Sequence, residues 1–157
     1  MGTVIRFRNL SGIQYIDTLR QLADHTVFYA SKLPKSVTFT LKNPLSQYAL
    51  DACCNAVRGN AVFVQSNADY ELRRSYLLAS YACLESLEEL LHVAAIRYYH
   101  SICNKDKEVE GETDGEEKPE SYPWREWGRL ILEARNLLKK VMRSDSERHA
   151  KNRKEED

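Results

Sequence analysis

Four stretches of this chain repeat their apolar side chains about every 3.6 residues, and no long stretch alternates apolar and polar residues as a half-buried strand would. An amphipathic helix can bury its stripe only against another element, so this period demands helix-on-helix packing. The first stretch, 13–33, gathers Ile16, Leu19, Leu22, Ala23, Val27 and Ala30 on one face, with Asp17, Gln21, Asp24 and His25 pointing away. It should end at Leu33-Pro34, because the residue before proline avoids the helical region. The second offers Asn43 as an N-cap and Pro44 as first helical residue, or a start nearer Ser36. Its inner side reads Leu45, Ala49, Ala52, Cys53, Ala56, Val57, Asn60 and Phe63, and the small residues permit close helix approach.

The third stretch, 68–103, is expected to be capped by Ser66-Asn67, with Glu71 in a first turn that favours negative charge. Its apolar arc holds Leu72, Tyr76, Cys83, Leu84, Leu87, Leu90, Leu91 and Ala94. Leu78, Tyr81 and Ile96 fall on the opposite, polar arc, which makes them candidates for contact with another copy or a partner. The fourth opens near Pro123 and carries Trp124, Trp127, Leu130, Ile131, Ala134, Leu137, Leu138 and Val141. Beyond Met142 the sequence is wholly polar, and fraying is expected there.

The expected fold is therefore all-α, an antiparallel up-down-up-down four-helix bundle over 13–143. An N-terminal arm, 1–12, precedes it and a polar tail, 144–157, follows. Residues 104–121 are acidic and lack aromatic side chains, so a mobile loop is expected between the third and fourth helices. No apolar run reaches the roughly 18 residues of a membrane span, and Arg6 and Arg8 interrupt any signal-like segment, so a cytoplasmic protein without membrane partners is expected.

The 23 basic and 23 acidic residues cancel, which by itself argues against a polyanion partner. Their distribution says otherwise. Residues 1–104 carry 10 basic and 8 acidic side chains, 105–120 carry 3 and 8, and 125–154 carry 10 and 4. On the fourth helix Arg125, Arg129, Lys139, Lys140 and Arg143 cluster opposite the tryptophan–leucine stripe. Such a row can follow a phosphate backbone and release its counterions without reading sequence. Arg58, Arg73 and Arg74, near the junction of the second and third helices, could extend it, whereas Glu126 and Glu133 dilute it. An ordinary solvated face fits the same row.

Signals for catalysis are weak. Cys53, Cys54, Cys83 and Cys103 have neither paired metal-ligand spacing nor a disulfide framework, and read as buried structural thiols. Glu89 and His92 form the E-x-x-H spacing of di-iron bundles, but no second copy exists and both lie opposite the apolar arc. His100 and Cys103 would supply only two zinc ligands. No nucleophile elbow or phosphate loop occurs. A non-enzymatic protein with no cofactor and no metal is expected.

The run Leu33-Pro34-Lys35-Ser36, then Phe39-Thr40-Leu41 and a small-residue helix, resembles the accessory variability determinant family of diversity-generating retroelements, relatives of four-helix proteins encoded in ribosomal intervening sequences. The charged, leucine-rich third helix and Arg129-Leu130-Ile131-Leu132-Glu133-Ala134 are similar to that family's last two helices, over about residues 13–143. The resemblance implies a homopentamer of four-helix protomers that binds a reverse transcriptase and its template RNA through basic surface. The alternative is a bundle serving as a protein-interaction or structural module without nucleic-acid binding. The acidic 105–120 segment departs from the family pattern, which has a short turn at that place.

Overall fold

A computed structural model describes residues 13–106 and 122–156. These form four α-helices and no strand: α1 (Gln14–Ala30), α2 (Lys35–Ala61), α3 (Asn67–Asp106) and α4 (Tyr122–Glu156). The arm 1–12 and almost all of the acidic segment, 107–121, lie outside the described residues, as does the side chain of Cys103. No described helix is long and apolar enough to cross a membrane.

Helix α1 stops short of the proline, and α2 begins immediately after it. Pro34 is the N-cap of α2, with φ −52° and ψ 149°, and the Thr38 hydroxyl donates to the carbonyls of Leu33 (2.5 Å) and Pro34 (2.9 Å). The expected Asn43 cap is not used, and Pro44 sits inside the helix. The apolar spacing explains why. Val37, Leu41, Leu45, Ala49, Ala52, Ala56 and Gly59 follow steps of four and three, one unbroken stripe that buries Val37 and Leu45 completely. A start at residue 44 would have left Val37 and Leu41 without a core. Burying Val37 fully, at about 1.5–3 kcal/mol, and Leu41 in part offsets most of the roughly 3 kcal/mol that an interior proline costs.

The same stripe turns three expected inner residues outward: Val57, Asn60 and Phe63 are exposed, and Phe63 lies beyond the helix. At Gly59 the helices come close, since a Cβ there would lie 3.1 Å from Leu77 Cδ2. The buried Ser80 hydroxyl donates to Ala52 O at 2.6 Å, a hydrogen bond from α3 to α2.

Helix α3 starts with a capping box. Ser66 Oγ accepts from Asp69 N–H, while the Asp69 carboxylate accepts from the backbone N–H of Ser66 at 2.9 Å and of Gln65 at 3.2 Å. The Ser66 hydroxyl also donates to that carboxylate at 2.8 Å, and this bond first, with those from the backbone, holds the Asp69 carboxyl below its ordinary pKa. Leu77, Ser80, Leu84, Leu87, Leu91 and Ala94, in alternating steps of three and four, form the buried seam. Leu72, expected inside, is exposed.

Helix α4 continues well past Met142, where fraying was expected, because its buried-stripe positions there carry polar residues with partners on α3. Arg73 Nε lies 2.6 Å from Asp145 Oδ2, and its Nη1 donates to Gly59 O at 3.0 Å. Tyr70 stacks on His149, ring centroids 4.0 Å apart and planes 8° from parallel. Midway, Arg135 pairs with Glu88 and Glu85 of α3, and this pairing, Glu88 foremost, raises the guanidinium pKa. At the start of α4, Trp124 packs on Tyr98.

Trp127 is the largest fully buried side chain, and α1 builds its pocket. Its indole N–H donates to Thr26 Oγ1 at 2.9 Å, and that hydroxyl donates to Leu22 O at 2.7 Å. His25, expected outside, is buried against the Trp127 ring with Nε2 3.0 Å from Pro123 O. Thus α1 packs on α2 and α4, and α3 packs on the same two helices, around one core.

Candidate nucleic-acid and self-association surfaces

The continuation of α4 sets the length of its outer face. From Arg125 to Lys151 the rod spans about 39 Å at 1.5 Å per residue, and Arg125, Arg129, Lys139, Lys140 and Arg143 are all exposed along it. Lys151, also exposed, follows Lys140 and Arg143 in helical step. Sequence reasoning missed it only because the helix was expected to end earlier.

These cations are not equivalent. Arg129 lies 2.6 Å from Glu126 and 2.9 Å from Glu133, so two carboxylates surround one guanidinium. The pairing with Arg129 lowers the Glu126 pKa and raises that of Arg129. Arg143 pairs with Glu147 at 2.9 Å. Lys139 Nζ lies 5.6 Å from the Tyr81 ring centroid, close enough for a cation–π contact that leaves its charge uncompensated. No ion pair joins Arg125, Lys139 or Lys140 to a carboxylate among the described residues. The row of five therefore reduces to three uncompensated charges.

The candidates at the α2–α3 junction separate in the same way. Arg73 is largely enclosed and committed to Asp145 and Gly59 O. Arg58 and Arg74 stay on the surface, donating to Asn55 Oδ1 at 3.3 Å and Tyr70 OH at 3.1 Å.

Among the described residues Leu132 is the exposed large apolar side chain of α4, and the others lie on the remaining helices and the α2–α3 connection. On α2, Leu50, Cys54, Val57 and Ala61 are exposed at successive spacings of four, three and four, a second stripe facing away from the core. On α3, Leu72, Leu78, Val93 and Ile96 are exposed, Ile96 at 59%. Tyr81, grouped with Leu78 and Ile96 from the sequence, is half-buried and packs against the core. The α2 stripe is hidden in the sequence because the apolar spacing puts Val57 on the inner face. Phe39, 95% exposed at the start of α2, adds to this surface.

The groups singled out for chemistry are dispersed. Glu89 and His92 lie 4.0 Å apart, both exposed. No cluster of three or more His, Cys, Asp or Glu side chains capable of holding a metal occurs among the described residues. Cys53 and Cys83 are half-buried and burial pushes both thiols up, whereas Cys54, expected inside, is exposed. Burial likewise raises the Tyr15 phenol, which donates to Asn60 Oδ1 at 3.3 Å.

No protein-family model, no curated protein and no solved structure matches the chain.

Proposed function

We propose that the chain is a non-enzymatic accessory scaffold of a diversity-generating retroelement, acting in the cytoplasm without a cofactor. In this reading the four helices run up-down-up-down. Copies associate through the outward residues of α2 and α3, a homopentamer being the assembly that the resemblance implies. Helix α4 presents Arg125, Lys139, Lys140 and Lys151 to RNA and to the reverse transcriptase.

One observation carries this reading: the outward apolar stripe of α2 and the cation row of α4 lie on different helices. The second apolar stripe, Leu50, Cys54, Val57 and Ala61, lies on α2, while the uncompensated row Arg125, Lys139 and Lys140 lies on α4. A closed ring would bury the first surface and repeat the second in every copy, so a few charges per protomer add up to a multivalent binding face. The antiparallel arrangement has its own support. Arg73 meets Asp145, Glu85 meets Arg135 and Tyr98 meets Trp124, so advancing along α3 retreats along α4.

Native mass measurement of the wild type beside Leu50→Glu/Val57→Glu tests the assembly. A wild-type oligomer and a monomeric, still helical variant are expected. A wild type that stays monomeric at tens of micromolar would overturn the scaffold.

The second reading, an interaction module without nucleic-acid binding, is favoured by the Glu126–Arg129–Glu133 and Arg143–Glu147 pairs, which neutralise two of the five candidate cations. It retains the oligomer and expects no RNA binding at any salt concentration.

A further inference from the structure

Where α2 gives way to α3, the connecting residues and the late turns of α4 enclose a cleft of about 380 Å³. Aromatic, amide and charged side chains line it beside Val62 and Val64. Tyr70 and His149 bring a parallel aromatic stack whose Tyr70 ring is buried, and Phe63, 79% exposed on the short connection, brings a third ring. Asn60 and Asn152 bring amides, and the Asn60 oxygen is already engaged by Tyr15 OH, which leaves its N–H₂ for a ligand. Arg148 brings an exposed guanidinium. Asp145 also lines the cleft, but Arg73 is bound to it at 2.6 Å, so Arg148 sets the local sign.

The geometry points to a nucleotide site: a planar base stacks beside His149 and Phe63, Asn60 and Asn152 hydrogen-bond its edge, and Arg148 takes its phosphate. The cleft lies in the size range of small-ligand pockets, which begins at about 300 Å³. Stacking on aromatic rings tolerates any base, because every base has a π-face. A guanidinium matches phosphate geometry with paired donors. An exposed phenylalanine on a five-residue connection contributes nothing to the core, and a stacked base gives it an occupant. None of the α4 cations singled out from the sequence lines the cleft, so the two surfaces are separable.

The ligand can be a free mononucleotide or an unpaired nucleotide within a strand. Only the second source rests on reading the chain as an RNA binder. The full-length protein is titrated with AMP and UMP, followed by chemical-shift changes, and with a labelled single-stranded RNA and an abasic strand of equal length. Phe63→Ala is the principal variant, since a surface ring can be removed without touching the core. Arg148→Ala and His149→Ala accompany it, with circular dichroism confirming that α4 is intact.

Losing one stacking ring is expected to weaken binding of the base-containing probe about tenfold and leave the abasic strand unchanged. Mononucleotide binding that depends on Phe63 and Arg148 supports the free ligand, and the same dependence seen only with RNA supports the in-strand nucleotide. RNA binding that needs Lys139 and Lys140 but ignores Phe63, Arg148 and His149, without mononucleotide binding, overturns this site and leaves the proposed function standing. Binding of neither probe overturns the site and the RNA-binding part of that function together. Mononucleotide binding without RNA binding retains the site and overturns that part alone.

Discussion

The bond between Trp127 and Thr26 offers a quantitative check on how α4 is held to α1. Both residues are essentially inaccessible to water, and the Thr26 hydroxyl is the acceptor for the indole N–H. Thr26→Val keeps the side-chain shape and removes that acceptor, which leaves a buried donor unsatisfied at a cost of about 1–3 kcal/mol. Leu22 O loses only the second of its bonds, because the backbone N–H of Thr26 still serves it within the helix. In a Trp127→Phe background the donor no longer exists, so Thr26→Val is expected to cost less than about 0.5 kcal/mol. The coupling in the double-mutant cycle is then about 1–2 kcal/mol. Urea unfolding followed by helical circular dichroism at one fixed protein concentration measures it, since oligomerisation makes apparent stability concentration-dependent. Equal costs of Thr26→Val in both backgrounds would refute the bond as the reason this threonine is buried.

Four further substitutions test local parts of the fold. Gly59→Ala forces a Cβ to within 3.1 Å of the fully buried Leu77 and should cost about 1–2 kcal/mol net of improved helix propensity. Gly128→Ala meets nothing within 4 Å and should gain about 0.5–1 kcal/mol in the same denaturation assay. Ser66→Ala removes one half of the α3 capping box and should cost about 1 kcal/mol. The folded-state pKa of Asp69 is depressed, so its contribution is complete above the unfolded value near 4 and disappears as pH falls through the lower folded value. An acid titration of stability should therefore be flatter for Asp69→Asn than for the wild type in that window.

The four helices were legible in the sequence because each carries its own apolar period, and the inner residues of α4 from Trp127 to Leu138 were read correctly on that basis. Boundaries were less legible where a local signal competed with a long-range one. Asn43-Pro44 looks like a helix start, yet Val37 and Leu41 needed a core and carried the helix through the proline. The end of α4 was hidden for the opposite reason. Asp145 and His149 look solvated until Arg73 and Tyr70, more than seventy residues earlier, are placed opposite them. Candidate cations could be found on a helical projection, but their compensation depends on rotamers, and only the structure separates Arg129 and Arg143 from Arg125, Lys139 and Lys140. The outward stripe of α2 required knowing which of its two apolar faces meets α3.

The central claim, that α4 presents a phosphate-binding face, is tested most directly by titrating single-stranded RNA into wild type and Arg125→Glu/Lys139→Glu/Lys140→Glu across a series of salt concentrations. Each neutralised phosphate contributes about −0.7 to the slope of log affinity against log salt, so losing three contacts per bound protomer should flatten the slope by about 2 and weaken binding most at low salt. A triple variant that binds with the wild-type slope and affinity, or a wild type that binds no RNA at low salt, would contradict the account.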